Sequence, residues 1–175
     1  IGMVTTPMVY FATYLLGTGS GVAITGSHNP PEYNGLKMML AGDTLHGEAI
    51  KALGRDINAG VFKPVADPAA AELTTLDVSK QYLDRVVGDI KLARKMKIAV
   101  DCGNGVAGAF AAQMYRALGC EVTELFCDVD GTFPNHHPDP AHPENLQDLI
   151  ESLRRRGSVS AKRAGSRSRA ASTTA

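Results

Sequence analysis

The side chains with the most chemistry in this sequence lie in one string, Thr25-Gly26-Ser27-His28-Asn29-Pro30-Pro31-Glu32-Tyr33-Asn34-Gly35-Leu36-Lys37. Ser27 offers a hydroxyl nucleophile, His28 an imidazole and Lys37 a positive charge. A phosphate carried on a serine bears about −1.5 to −2 charges at neutral pH and needs donors close by. His28 and Lys37 are donors of the right type. The bland reading of the same residues is a polar Asn-Pro-Pro turn between strands.

These groups need elements to hold them. Gly21-Val22-Ala23-Ile24 is an apolar run that predicts a buried strand. Ligands of open α/β sheets bind beyond the carboxyl ends of strands, and Ser27 falls at such an end. Asn34-Gly35 predicts a tight turn, and Leu36 to Leu40 a second strand. A hairpin of the two would bring Lys37 back toward Ser27. Upstream, Thr6 as N-cap, Pro7 as first helical residue and Gly17 as stop predict a helix. Its residues are apolar on most faces, which predicts extensive burial.

Ala41-Gly42-Asp43 reads as a turn, and a helix is expected over about 47–58, ended by Gly60. Residues 61–75, with Pro64, Pro68 and an alanine run, read as a linker. A helix from about Asp77 to Ile90 carries Val78, Tyr82, Leu83, Val86 and Val87 on one face. Lys97 to Asp101 predicts a short buried strand. Cys102 to Gly105 reads as a glycine loop, Val106 to Leu118 as a helix and Glu121 to Cys127 as a strand. That is the pattern of a parallel sheet. Asp128 to Pro143 is a long loop rich in proline and histidine, and Glu144 to Arg155 an amphipathic helix.

Three further patterns compete for function. Gly103-Asn104-Gly105-Val106-Ala107-Gly108 matches the dinucleotide fingerprint between a strand and a helix, with Glu124 or Asp128 as its later acid. The competing reading is a tight strand-to-helix turn. Asp128-Val129-Asp130-Gly131-Thr132 after an apolar strand is similar to the nucleophile motif of haloacid dehalogenase phosphatases. Only 43 residues follow it, too few for that superfamily's later lysine and acids. His136, His137, Asp139 and His142 are metal-ligand types, but their proline-broken spacing is not a usual zinc pattern. A polar connecting loop is the preferred reading there.

The string around Ser27 resembles the phosphoserine loop of the α-D-phosphohexomutases, the phosphomannomutase/phosphoglucomutase family. Val100 to Gly108 and Asp130 to Leu146 resemble the second domain of the same family. The resemblance runs from about Gly2 to about Leu153. It implies two small mixed or parallel-sheet α/β domains, both incomplete: residues 1–72 as the later half of domain one and 73–153 as most of domain two. It further implies Ser27 as the phosphoryl carrier, with His28 and Lys37 neutralising charge or shuttling a proton. Thr25, Gly26 and Asn29 would shape the phosphate loop. The implied substrate is a hexose 1- or 6-phosphate, of mannose or glucose. The implied cofactor is Mg²⁺, reached by Ser27 through its phosphate and by a downstream acidic loop.

That acidic loop is not found. Where it is due the sequence reads Arg156-Gly157-Ser158-Val159-Ser160-Ala161-Lys162-Arg163. Mg²⁺ favours carboxylate and water oxygens in an octahedron, so Mg²⁺ binding and mutase turnover by this polypeptide are not expected. Residues 154–175 form a basic, low-complexity tail for which disorder is expected. Its switch to arginine, serine and alanine reads as translation in a shifted frame, which would make the chain a non-catalytic remnant. Translating the adjoining frames of the gene tests that idea.

Charge follows the same division. Seven basic residues lie from Arg154 on and no acid follows Glu151, which leaves the first 153 residues with a net charge of −7. An acidic body gives no reason to expect nucleic-acid binding, although a serine/arginine tail can contact phosphates. Cys102, Cys120 and Cys127, without CxxC spacing, argue for a reducing compartment. No apolar stretch approaches the roughly 18 residues of a membrane span, and no leader pattern is seen. A cytoplasmic location is expected. The sequence opens at Ile1 inside a globular pattern, so it reads as lacking its beginning.

Overall fold

A computed structural model describes residues 1–30, 32–64 and 72–156. The tail expected over 154–175 is corrected at its start, where Arg154 to Arg156 continue a helix; its residues from Gly157 on, and the middle of the expected linker, lie outside the described residues. The described residues form two compact units, 1–27 with 32–64 and 72–82, and 28–30 with 83–156.

In the first unit Pro7 stands in the opening turn of α1 (Thr6–Leu15), where a missing N–H leaves nothing unsatisfied. The capping position is Thr5, one residue earlier than expected. It has extended backbone and no side-chain capping bond. The Thr5 carbonyl accepts the Met8 N–H at 2.9 Å. The extensive burial expected of α1 is corrected to one side of the helix. Met8, Val9, Ala12 and Thr13 are buried, whereas Tyr14, Leu15 and Leu16 are exposed. A single sheet face receives this helix, and one face can bury only one side of it.

That sheet is antiparallel, in the order β1 (Gly21–Ile24), β2 (Leu36–Leu40), β3 (Asp43–Thr44). Register pairs Ala23 with Lys37 and Ile24 with Leu36. Alternation sends Ala23 and Met39 inward. The expected buried strand is therefore buried only at Ala23. Val22 is 55% exposed and Ile24 74%, and Leu36 and Leu40 are exposed as well. β2 turns into β3 through Ala41 and Gly42, both at positive φ, as a two-residue hairpin requires. Asn34-Gly35 is not the tight turn that its dipeptide suggests. Thr25 donates to the Gly35 carbonyl at 2.9 Å, so Gly35 prolongs the ladder and the turn falls at Ser27 and His28. α2 (Glu48–Asn58) follows the expected span, with no buried residue. α3 (Ser79–Asp89) starts where Asp77 Oδ1 accepts the Ser79 N–H at 2.8 Å. Val78 beside it is fully buried, and Tyr82 meets Phe11 edge-on at 5.4 Å between centroids.

The second unit is built on a parallel pair, β4 (Lys97–Asp101) and β5 (Glu121–Leu125), in register from Lys97↔Glu121 to Asp101↔Leu125. The helix expected over Val106 to Leu118 is split. A 3₁₀ turn (Val106–Ala109) precedes α4 (Ala111–Ala117), and Phe110 between them leaves helical geometry at φ −128°. The cause is close packing: a Cβ at Gly108 would collide with the Cys127 carbonyl. A second 3₁₀ turn (Pro143–Leu146) leads into α5 (Gln147–Arg156), which packs on β4. Ala99, Val100, Ala112 and Cys120 form the core of this unit.

Candidate functional site: the Ser27 loop

The loop that carries Ser27 is pinched at its base. Beyond Ile24 the Thr25 N–H still bonds across to Gly35. Next, Gly26 passes so near Tyr33 that a Cβ would lie 2.6 Å from the Tyr33 carbonyl oxygen. Only glycine allows that approach. Ser27 then takes φ +56°, a left-handed conformation uncommon for residues with a side chain. Its N–H donates to Thr25 Oγ1 at 3.0 Å. Thr25 thus holds the turn from both its backbone and its hydroxyl, and Ser27 stands exposed at the tip.

His28 is tied down twice. Its Nδ1 lies 2.7 Å from the Pro138 carbonyl oxygen, and His137 Nε2 lies 2.7 Å from the His28 carbonyl oxygen. All of these residues belong to the second unit. Asn29 follows, exposed. Lys37 is exposed on β2 opposite Ala23, one ladder step inside the last pair. The hairpin therefore forms as expected. Thr25, Gly26, Ser27 and His28 share one turn, while Lys37 stands back along the neighbouring strand.

A second polar cluster lies at the carboxyl ends of β4 and β5. Asp101 Oδ1 accepts the Gly103 N–H at 2.9 Å. His136 Nε2 is 3.2 Å from both oxygens of Asp101, and its Nδ1 is 3.0 Å from the His137 carbonyl. Carboxylate and carbonyl oxygens only accept, so these contacts favour hydrogen on both ring nitrogens, the imidazolium form. Burial pushes the His136 pKa down. The His137 carbonyl and the Asp101 carboxylate outweigh it, with help from Asp148, and the net direction is up. Asn104 is buried and fully bonded. Its N–H donates to the Phe126 carbonyl and its side-chain amide to the Asp128 carbonyl, and it accepts from Asn135.

This wiring decides what the glycine loop does. The N–H groups of Gly103, Asn104 and Gly105 are spent on Asp101, Phe126 and Cys102. A pyrophosphate would need those donors, so the loop is a structural strand-to-helix turn. Asp130 likewise accepts the Thr132 N–H and hydroxyl, which holds its pKa below the ordinary carboxylate range. Cys102 and Cys127 place their sulfurs 3.6 Å apart, and burial pushes the Cys102 thiol up to about 12. Both stay thiols, poor nucleophiles.

The described residues do not make a magnesium site. Among the described residues no three His, Cys, Asp or Glu side chains converge on a common point. Ser27 would supply one oxygen alone. Nor is any helix among them long and apolar enough to cross a membrane.

Two contributions escaped the sequence reading. The sequence reads His137 and Pro138 as part of a connecting loop, and no local pattern ties them to residue 28, 109 and 110 positions away. Nor does any dipeptide rule show that Gly26 must pass Tyr33.

Comparison with known proteins adds the rest. The model of phosphoglucomutase/phosphomannomutase alpha/beta/alpha domain I matches residues 1–63, and that of domain II residues 80–161. The chain is 61% identical over 154 residues to a phosphoglucomutase of Neisseria meningitidis serogroup A, covering 88% of this chain and 33% of that protein. It is 49% identical over 154 residues to a phosphomannomutase/phosphoglucomutase of Pseudomonas aeruginosa, covering 88% and 32%. A crystal structure of a phosphoglucomutase/phosphomannomutase family protein from Burkholderia thailandensis superposes with a TM-score of 0.72 at 51% identity, over 79% of this chain and 30% of that one. The chain spans about a third of the length of the curated relatives it matches. Two successive domain models, in chain order and over most of its residues, show that the chain belongs to the phosphoglucomutase/phosphomannomutase family.

Proposed function

We propose that Ser27 is the phosphoryl carrier of a phosphohexomutase-type reaction. The observation that carries this reading is the tip geometry: an exposed serine at φ +56°, braced by the Thr25 hydroxyl above a neck that only Gly26 fits. A strained residue held by its surroundings is what positioned chemistry needs. The phosphoserine would give its phosphoryl group to one hydroxyl of a hexose phosphate. Ser27 would then take back the phosphoryl group at the other end of the sugar. His28 and Lys37 would neutralise charge or carry a proton, and Thr25, Gly26 and Asn29 would shape the loop.

On this reading residues 1–72 belong to domain one and 73–153 to domain two. Supporting this, the two domain matches end at 63 and resume at 80. The substrates are mannose or glucose phosphates and the setting is the cytoplasm. Mass spectrometry after incubation with a hexose 1,6-bisphosphate tests the carrier role. A phosphate on Ser27, absent from Ser27→Ala, is expected, and a phosphate elsewhere or nowhere overturns it.

Sustained turnover is a separate matter. No acid follows Glu151 in this sequence, and among the described residues no three His, Cys, Asp or Glu side chains are placed to hold a metal ion. A 175-residue polypeptide of this sequence is expected to show no mutase turnover in a coupled assay with Mg²⁺, glucose or mannose 1-phosphate and bisphosphate. Robust turnover that disappears in Ser27→Ala would refute this.

A further inference from the structure

We infer that His137 is a positioning residue for His28: it holds the His28 backbone, and so keeps the His28 ring on the Pro138 carbonyl that fixes the ring form. A carbonyl oxygen can only accept a hydrogen bond. The 2.7 Å contact from His28 Nδ1 to the Pro138 carbonyl therefore requires hydrogen on Nδ1. The 2.7 Å contact from His137 Nε2 to the His28 carbonyl likewise requires hydrogen on Nε2 of His137. The two bonds run in opposite directions between residue 28 and the successive residues 137 and 138. Together they hold the backbone and the ring of His28 in one arrangement. In a neutral ring with hydrogen on Nδ1, the lone pair is on Nε2. The bond made by one nitrogen thus decides which other nitrogen does chemistry.

The support behind His137 is itself anchored. Its carbonyl accepts from His136 Nδ1 at 3.0 Å, and the other nitrogen of His136 grips Asp101, whose side chain is 6% exposed. His137 thus hangs from β4 rather than from a free loop. The chemical consequence rests on the carrier reading of Ser27. As a sugar hydroxyl attacks phosphorus, the new O–P bond forms and the Ser27 Oγ–P bond breaks. The hydroxyl proton passes to His28 Nε2 and from there to the departing Ser27 Oγ. A His28 ring with hydrogen on Nε2 could not begin that transfer.

The test is a nitrogen-15 spectrum of the histidine rings in the full chain, well above the ordinary imidazole pKa of about 6.5. His28→Gln identifies the His28 signals. Wild type is expected to show His28 with hydrogen on Nδ1. His137→Ala should shift the ratio of the two forms about tenfold toward hydrogen on Nε2, the size of effect one hydrogen bond gives. His137→Gln, whose amide can still donate, should restore the wild-type form. Hydrogen on Nε2 in wild type, or no change in His137→Ala, overturns the assignment. If His137→Ala does not fold, the wild-type and His137→Gln spectra still decide, because either one showing hydrogen on Nε2 refutes it. Should Ser27 accept no phosphate while these spectra hold, the carrier reading fails and the positioning role of His137 stands.

Discussion

Ser27 occupies a backbone conformation that glycine would adopt at less cost. A side-chain-bearing residue in the left-handed region gives up about 1–2 kcal/mol. Ser27→Gly is therefore expected to leave the first unit as stable or slightly more so, while Ser27→Val, β-branched and less tolerant of positive φ, destabilises it. Urea midpoints of the two variants check the ordering. A stabilising valine would mean that the turn is not left-handed in solution.

His136 supplies a second prediction for single residues. Its pKa is raised in the folded chain, so its contribution to stability is fully present below the unfolded value of about 6.5. That contribution is lost as pH rises through the folded value. Wild type should therefore lose stability from about pH 6.5 upward. His136→Gln, which cannot become an imidazolium, should be less stable at low pH and flatter across that range. Parallel curves for the two proteins would rule out a charged His136.

Among elements, the neck of the Ser27 loop and the break before α4 share a cause. In each, one backbone crosses another too closely for a Cβ. Gly26→Ala would drive a methyl to 2.6 Å from the Tyr33 carbonyl oxygen. It is expected to open the neck and speed hydrogen exchange of the Thr25 amide by about tenfold or more, for the loss of a bond worth about 1 kcal/mol or more. Gly108→Ala should cost about 1–3 kcal/mol, as overpacking does, read as a lower urea midpoint of the second unit. Unchanged behaviour in either variant would show that the backbones stand further apart.

These crossings also mark where sequence reading runs out. α2, β1, β2, β4 and β5 follow from periodicity and from caps, because those signals are local. The split between Ala109 and Ala111 follows from Cys127, which lies far along the chain. Asn34-Gly35 misleads for the same reason. Its dipeptide favours a two-residue turn, but the Thr25–Gly35 bond recruits it into the ladder and moves the turn to Ser27. The identities of Ser27, His28 and Lys37 were legible as a string of residue types. The partners of His28 were not, since hydrogen bonds over 109 and 110 positions leave no period in a sequence.

For the molecule as a whole, the sheet of the first unit is covered on one side. α1 rests on the face of Ala23 and Met39, while Val22, Ile24, Leu36 and Leu40 remain exposed on the other. On unfolding, the rise in heat capacity and the response to denaturant both grow with newly wetted surface. Side chains already in water contribute little to either. The first unit should therefore unfold with a heat-capacity increment below the usual 12–15 cal/mol/K per residue, and with a shallow dependence on urea. Its stability curve against temperature would be broad and flat, so that cooling and warming by equal steps alter it little.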